Sequence, residues 1–158
     1  MTRLVRIPPP FYVLILLALS YGLARIFPLP IDLSQPLLAS AFIGLGLAAV
    51  LWAWVHFWKQ RTTPIPAAEP KALVTGGPYR WSRNPMYLGV GLCLMGIVFL
   101  AGSPAFLLAP AGFYVIADRI FIPYEEAKLE RLFGADYAEF KHRVPRWLRK
   151  IRPVEEQF

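Results

Sequence analysis

The fold class predicted for this chain is an all-α integral membrane protein, and three observations predict it. Long apolar runs dominate: 56% of the 158 residues are hydrophobic and only 17% are charged, against about 25% charged in soluble domains. The charges gather between the runs rather than within them. Lysine and arginine also fall on alternate connections, the asymmetry that orients helices in a bilayer. Together these predict four transmembrane helices, at about residues 11–27, 37–58, 86–102 and 104–122, with amphipathic C-terminal helices on the cytoplasmic side. The net charge of +7 then belongs to loops that meet anionic lipid, not to a nucleic-acid surface.

Each element has its own signals. Residues 1–10 carry Arg3 and Arg6 and end in three prolines, and an apolar run follows. A signal peptide has this shape, with Ala18-Leu19-Ser20 at cleavage spacing. Apolar character continues past Ser20, which favours a membrane helix with Arg25 snorkelling from its end. Residues 37–58 match the length of a bilayer span, and Gly44 and Gly46 invite close helix contact. Trp52, Trp54, Phe57, Trp58 and Lys59 form an interfacial belt in which His56 reads as a solvated side chain. Residues 59–85 form the longest polar connection, where prolines at 64, 66, 70 and 78 prevent a regular helix. Pro85 suits the first turn of the third span, and Ser103-Pro104 turns the chain into the fourth. Beyond Pro123, Leu129, Leu132 and Phe133 recur at helical spacing. Gly134 reads as a helix stop, Asp136 and Glu139 as a capping box, and residues 146–152 as an interfacial segment. The chain reads as one domain, 1–158. Cys93, the single cysteine, cannot form an internal disulfide, and no metal-ligating cluster is visible.

The chain is organised around residues 76–89, GGPYRWSRNPMYLG. Polar side chains crowd there where water meets lipid, and such groups cost free energy unless paired or used. Tyr124, Glu125 and Glu126, which close the last apolar run, read as the other half of a site. Asp118 and Glu125, and Arg119 and Glu126, are seven positions apart and so are expected to share helix faces. The short turn between the third and fourth spans makes them antiparallel, with their polar ends adjacent.

These residues carry a resemblance. Arg83-Asn84-Pro85-Met86-Tyr87 resembles the R-H-P-x-Y element of the isoprenylcysteine carboxyl methyltransferase family, with asparagine where that family usually has histidine. Tyr124-Glu125-Glu126 resembles its paired glutamates, and Phe133-Gly134-Ala135-Asp136-Tyr137 with Arg143-Val144-Pro145-Arg146 is similar to its C-terminal pattern. Phospholipid methyltransferases share the N/D-P-M-Y and E-E elements. The resemblance implies S-adenosylmethionine as cofactor, S-adenosylhomocysteine as product, and a lipophilic methyl acceptor. It implies cofactor binding at Asn84, Pro85, Tyr87, Leu88, Gly89, Tyr124, Glu125 and Glu126, and catalytic roles for Arg83, Glu126 and Arg143. Arg143 is the candidate for the acceptor's polar head. Gly89-Val90-Gly91-Leu92 fits a G-x-G-aliphatic element, but Gly44-Leu45-Gly46-Leu47 fits it as well, and helix packing explains both.

The residue types suit that chemistry. Arginine or backbone N–H groups can hold the cofactor carboxylate, carboxylates can accept from hydroxyls or an ammonium, and tyrosine faces suit a cation. The alternatives are a phospholipid N-methyltransferase and, in another class, a non-catalytic membrane protein with a lipid-binding basic tail. A membrane sterol reductase is more distant, because no Gly-rich dinucleotide fingerprint follows a strand. The expected setting is the inner membrane, with both termini and the site cytoplasmic and no obligate protein partner.

Overall fold

The structure is a computed structural model that describes residues 5, 7–64 and 68–148; Arg3, Arg6 and residues 149–158 lie outside them. Among the described residues every regular element is helical. Helix α1 is Pro9–Ile26, α2 is Pro36–Lys59 and α3 is Pro85–Ala101. A 40-residue rod, Pro104–Arg143, follows. It comprises a 3₁₀ turn at Pro104–Leu107, α4 at Leu108–Ile116, a π-helical turn at Ala117–Phe121 and α5 at Ile122–Arg143. Prolines stand at the first positions of α1, α2 and α3, where a missing N–H removes no bond.

Three of these helices, α1, α2 and the rod, are long and apolar enough to cross a membrane. Helix α3 is apolar but has 17 residues, which rise about 26 Å against a hydrocarbon core about 30 Å thick. Large apolar side chains such as Ile26, Leu37 and Trp58 stand exposed on the outer faces of α1 and α2.

The fourth apolar run, expected as a span over residues 104–122, continues without a break into the tail as one rod. Pro123 neither donates to the ladder nor fits beneath the carbonyl four residues back. The preceding π turn opens the ladder there: the Ile122 N–H donates to the Ala117 carbonyl. The chain passes the proline without ending. The interruption expected at Gly134 is present as a kink, with φ 47° and ψ −118°. The helix resumes and ends at Arg143, two residues before Pro145.

Helices α2 and α3 lie antiparallel with their backbones in contact. A Cβ on Gly46 would fall 2.5 Å from the Gly89 carbonyl oxygen, and one on Gly89 would fall 2.7 Å from that of Gly46. A Cβ on Gly96 would lie 2.8 Å from the Ala39 oxygen. Gly44, in contrast, has nothing within 4 Å, so only one of the two glycines expected at a helix contact makes it. At the far end the Leu33 N–H donates to the Gly102 carbonyl at 2.7 Å, tying the α1–α2 connection to the end of α3.

The core has two parts. Leu16 of α1, Leu94 of α3, and Ala109 and Phe113 of α4 fill the middle. Ala53, Val74, Tyr79, Tyr137, Phe140 and Val144 join α2, the 60–84 connection and α5 at the other end. The candidate site lies between these clusters.

Candidate functional site

Asn84 caps α3 with Pro85 at its first position, and Arg83 precedes the cap. After Arg143 the chain leaves the helix through Val144 in extended backbone, φ −120° and ψ 126°. It then runs beneath the start of α3 as a strap, residues 144–148. The Arg83 N–H donates to the Pro145 carbonyl at 3.0 Å. Asn84 Nδ2 and Ser82 Oγ donate to the Arg146 carbonyl at 2.9 and 3.2 Å. The buried asparagine thus anchors the strap.

An ion cluster forms where α3, α5 and the strap meet. Arg83 Nη1 donates to Glu126 Oε1 at 2.7 Å and to the Tyr137 hydroxyl at 3.2 Å. Arg146 grips the same carboxylate with two nitrogens, Nη2 to Oε2 at 2.7 Å and Nε to Oε1 at 3.2 Å. Its Nη1 reaches Asp118 Oδ1 at 3.3 Å. The Glu126 bond raises the already high Arg146 pKa further, with Asp118 adding to it. Charge-assisted, forked pairs of this kind are the strong ones.

Glu126 and Arg83 are each only 10% exposed at the side chain, so neither charge would tolerate losing its partner. Arg83 Nε is buried with no hydrogen-bond partner among the described residues, an unmet donor that costs about 1–3 kcal/mol. Glu125 faces elsewhere, accepting from the Tyr87 hydroxyl at 2.8 Å. Tyr79 lies nearby, its hydroxyl pKa pushed up by burial and by the Glu125 charge.

Beside the cluster runs a groove of about 450 Å³ whose walls include Trp52, Trp81, Leu88, Met95, Phe113 and Tyr114. Among the described residues no lysine, arginine, histidine or acid lines it. Two wall residues reach the polar side. The Tyr87 hydroxyl bonds Glu125, and Trp147 Nε1 donates to Asp118 Oδ1 at 3.0 Å while its ring lies 4.9 Å from that of Tyr114.

The structure sorts the expected site residues. Arg83, Asn84, Tyr87, Glu125 and Glu126 come together, and Pro85 and Leu88 join them through the groove wall. Gly89 faces Gly46 and Val50 of α2, so its small size serves the helix contact. Tyr124 stands outside the cluster, 37% exposed, with Lys128 Nζ 5.8 Å from its ring. Arg143 is also outside: its side chain is 65% exposed and pairs with Glu139 at 3.6 Å. The chain turns only after Arg143, so the arginine that folds back is Arg146.

Spacing by seven predicts that Asp118 shares a helix face with Glu125, and Arg119 with Glu126; the structure instead has Arg146 holding Asp118 and Glu126 together. The π turn inserts one residue into the rod, so the shared face falls eight positions on rather than seven. Arg119 instead points to solvent, 80% exposed. Arg146 and Trp147, expected at the lipid interface, turn inward. His56 Nδ1 donates to the Trp52 carbonyl, 2.8 Å away, and packs over Gly77, whose φ of 57° needs glycine.

The residues present fit a small ligand bearing charges of both signs. Glu126 and Asp118 offer acceptors, and Arg83 holds a buried donor that no described residue bonds. S-adenosylmethionine has that character, with an ammonium, a carboxylate and a sulfonium.

The sequence is similar to protein-S-isoprenylcysteine O-methyltransferase B of Arabidopsis thaliana, 38% identical over 84 residues, which are 51% of this chain and 41% of that one. It is similar also to the Xenopus laevis protein-S-isoprenylcysteine O-methyltransferase, 34% identical over 91 residues, covering 56% of this chain and 31% of the relative. The chain therefore spans less than half the length of these relatives. No solved structure matches. The resemblance carried by residues 83–87 and 124–126 thus agrees with relatives named for that chemistry. It agrees too with the match of residues 34–136 to the model of a family described as phospholipid methyltransferase. A match over well more than half of the sequence, containing both motifs and the helices that bring them together, shows that the chain belongs to the phospholipid methyltransferase family.

Proposed function

We propose that this protein is a membrane-embedded, S-adenosylmethionine-dependent methyltransferase acting on a lipophilic acceptor. The observation that carries the reading is one shared wall. Tyr87 and Trp147 line an apolar groove and, from the same side chains, bond carboxylates on its polar side, Glu125 outside the ion cluster and Asp118 within it. A polar cofactor and an apolar acceptor need such a boundary, each in its own medium.

The cofactor supplies an activated methyl group when bound. Arg83, Glu125 and Glu126 hold its polar parts, with Tyr87 and Asn84 alongside. The groove side chains exclude water and align the acceptor, and positioning of this kind can supply about 7–11 kcal/mol of a barrier. Tyr87 and Trp147 keep the two compartments in register.

The described walls of the groove support one acceptor class over the other. Among the described residues the groove walls hold no cation to pair a phospholipid's phosphodiester, a group that is costly to bury unpaired. An acceptor with a small head, such as an isoprenylcysteine-like carboxylate or a hydrophobic thiol, fits better. The family description supports the phospholipid reading, and an acceptor panel of prenylcysteine, small thiols and phosphatidylethanolamine separates the two.

The same reading sets the topology at four spans, α3 included, in the cell's inner membrane. Both termini and the ion cluster face the cytoplasm, because Lys59, Arg61, Lys71, Arg80 and Arg83 lie on one side and the 28–35 and 102–103 turns hold no lysine or arginine.

Calorimetry with S-adenosylhomocysteine in nanodiscs tests the core of the proposal. The unaltered protein should bind. Glu126→Gln should weaken binding about tenfold or more, the equivalent of one charge-assisted bond of ~1.5–3 kcal/mol. Absence of binding by the unaltered protein would favour a non-catalytic, lipid-anchored role and sink this one.

A further inference from the structure

One member of the ion cluster is unlike the others. Arg83 and Glu126 are each 10% exposed at the side chain, whereas Arg146 is 33% exposed. Arg146 is thus the outermost group, the one with water on one side. Its main chain is fixed by Ser82, Asn84 and the neighbouring Arg83–Pro145 bond. The guanidinium, at the end of a flexible stem, can leave while the strap stays in place. It occupies both oxygens of Glu126 and one of Asp118. At the same time Arg83 Nε, deeper in the cluster, has no partner among the described residues. An acid pair filled by a removable cation, beside a buried donor left empty, is the arrangement of a site held shut by its own chain.

We propose that Arg146 is an autoinhibitory plug: its guanidinium fills the acid pair Asp118–Glu126 that a cationic ligand group must take, and binding requires it to swing out. The proposal rests on the methyltransferase reading for the identity of the ligand. Charge supports it. Arg83 and Arg146 balance Asp118 and Glu126, with Arg119 touching Asp118 Oδ2 only from solvent at 3.5 Å. With Arg146 withdrawn, the inner cluster carries one net negative charge. S-adenosylmethionine carries one net positive charge, and S-adenosylhomocysteine carries none. The plug therefore bears more heavily on the methyl donor than on the product. Trp147 shares Asp118 Oδ1 with Arg146, so it keeps an acceptor for its indole N–H when the arginine departs. The groove wall can stay formed while the polar side opens.

The test is calorimetric titration of the full chain in nanodiscs with S-adenosylmethionine and, separately, S-adenosylhomocysteine. The proteins compared are the unaltered chain, Arg146→Gln and Arg146→Lys, with Arg146→Met as a neutral side chain of similar length should the glutamine variant fail to fold. Removing the charge should tighten S-adenosylmethionine about tenfold and S-adenosylhomocysteine less. Arg146→Lys should return affinity toward that of the unaltered chain. Unchanged affinity in the neutral variants overturns the plug. Weakened affinity, comparable to that of Glu126→Gln, overturns it too and makes Arg146 a ligand-holding residue. If the unaltered chain and every variant fail to bind either compound, the methyltransferase reading itself falls and the plug with it. Binding by the unaltered chain with no gain in the variants removes the plug alone.

Discussion

Asn84 and Tyr87 show how single side chains set this site. Asn84 stands where the isoprenylcysteine family usually has histidine, and its amide donates to the Arg146 carbonyl from a buried position. Its work here is to hold a loop, not to titrate. Asn84→Ala should lower stability by ~1 kcal/mol, the net worth of one such bond, and a thermal melt reads it. Asn84→His should recover much of that loss through a ring N–H to the same carbonyl; a histidine variant no more stable than the alanine one would refute this role. Tyr87 poses a different question, because its hydroxyl is the donor to Glu125 while its ring lies against Phe113 and Phe121. Tyr87→Phe should keep the packing and leave the carboxylate short of a partner, so the fold persists while cofactor affinity drops. A melting temperature lowered by the loss of one bond to a buried carboxylate, ~1–3 kcal/mol, with a several-fold weaker isotherm, is the expected pair of results.

Two element-scale features place these side chains. The first is the α2–α3 contact, where Gly46 and Gly89 bring backbones together. Without a hydrophobic difference between helix and lipid, close van der Waals packing of small residues drives such pairing. Gly46→Val should therefore cost about 1–3 kcal/mol or more by forcing the helices apart. Gly44→Val, two residues away with nothing within 4 Å, should cost far less. Equal losses at both positions in a chemical-denaturation or thermal series would show that the contact does not form. The second is the π turn at Ala117–Phe121. It admits Pro123 without a break and sets Asp118 over Glu126. π turns inside helices often mark functional sites, and this one sets which acid meets Arg146.

At the scale of the molecule, the helices separate an apolar groove from an ion cluster while letting Trp147 touch both and Tyr87 reach from the groove to Glu125. The 60–84 connection packs onto α5 and the strap through Val74, Tyr79, Tyr137, Phe140 and Val144, closing the polar end. Orientation is testable directly. In a Cys93→Ser background, a cysteine at residue 70 should be protected from a membrane-impermeant thiol reagent in intact cells, and one at residue 30 should be labelled. The reverse pattern would put the ion cluster on the outside, away from a cytoplasmic cofactor.

The chain's own pattern was enough for the helices, because an apolar run long enough to span lipid has few other stable forms. It was also enough for the nearness of residues 83–87 to 125–126, since a short turn between apolar runs leaves them little choice but to lie side by side. Partners within the site were not legible. Arg143 and Arg146 are both arginines near the end of the tail, and only the turn after Val144 decides which one folds inward. Asp118 and Glu125 match at ideal helical spacing, and only the inserted residue of the π turn moves the match to Glu126. Gly44 and Gly46 look equivalent until the crossing of α2 with α3 selects one. Helical periodicity is a local property of the chain, whereas the phase of one helix against another, and the path of a loop after it, follow from what is packed against them.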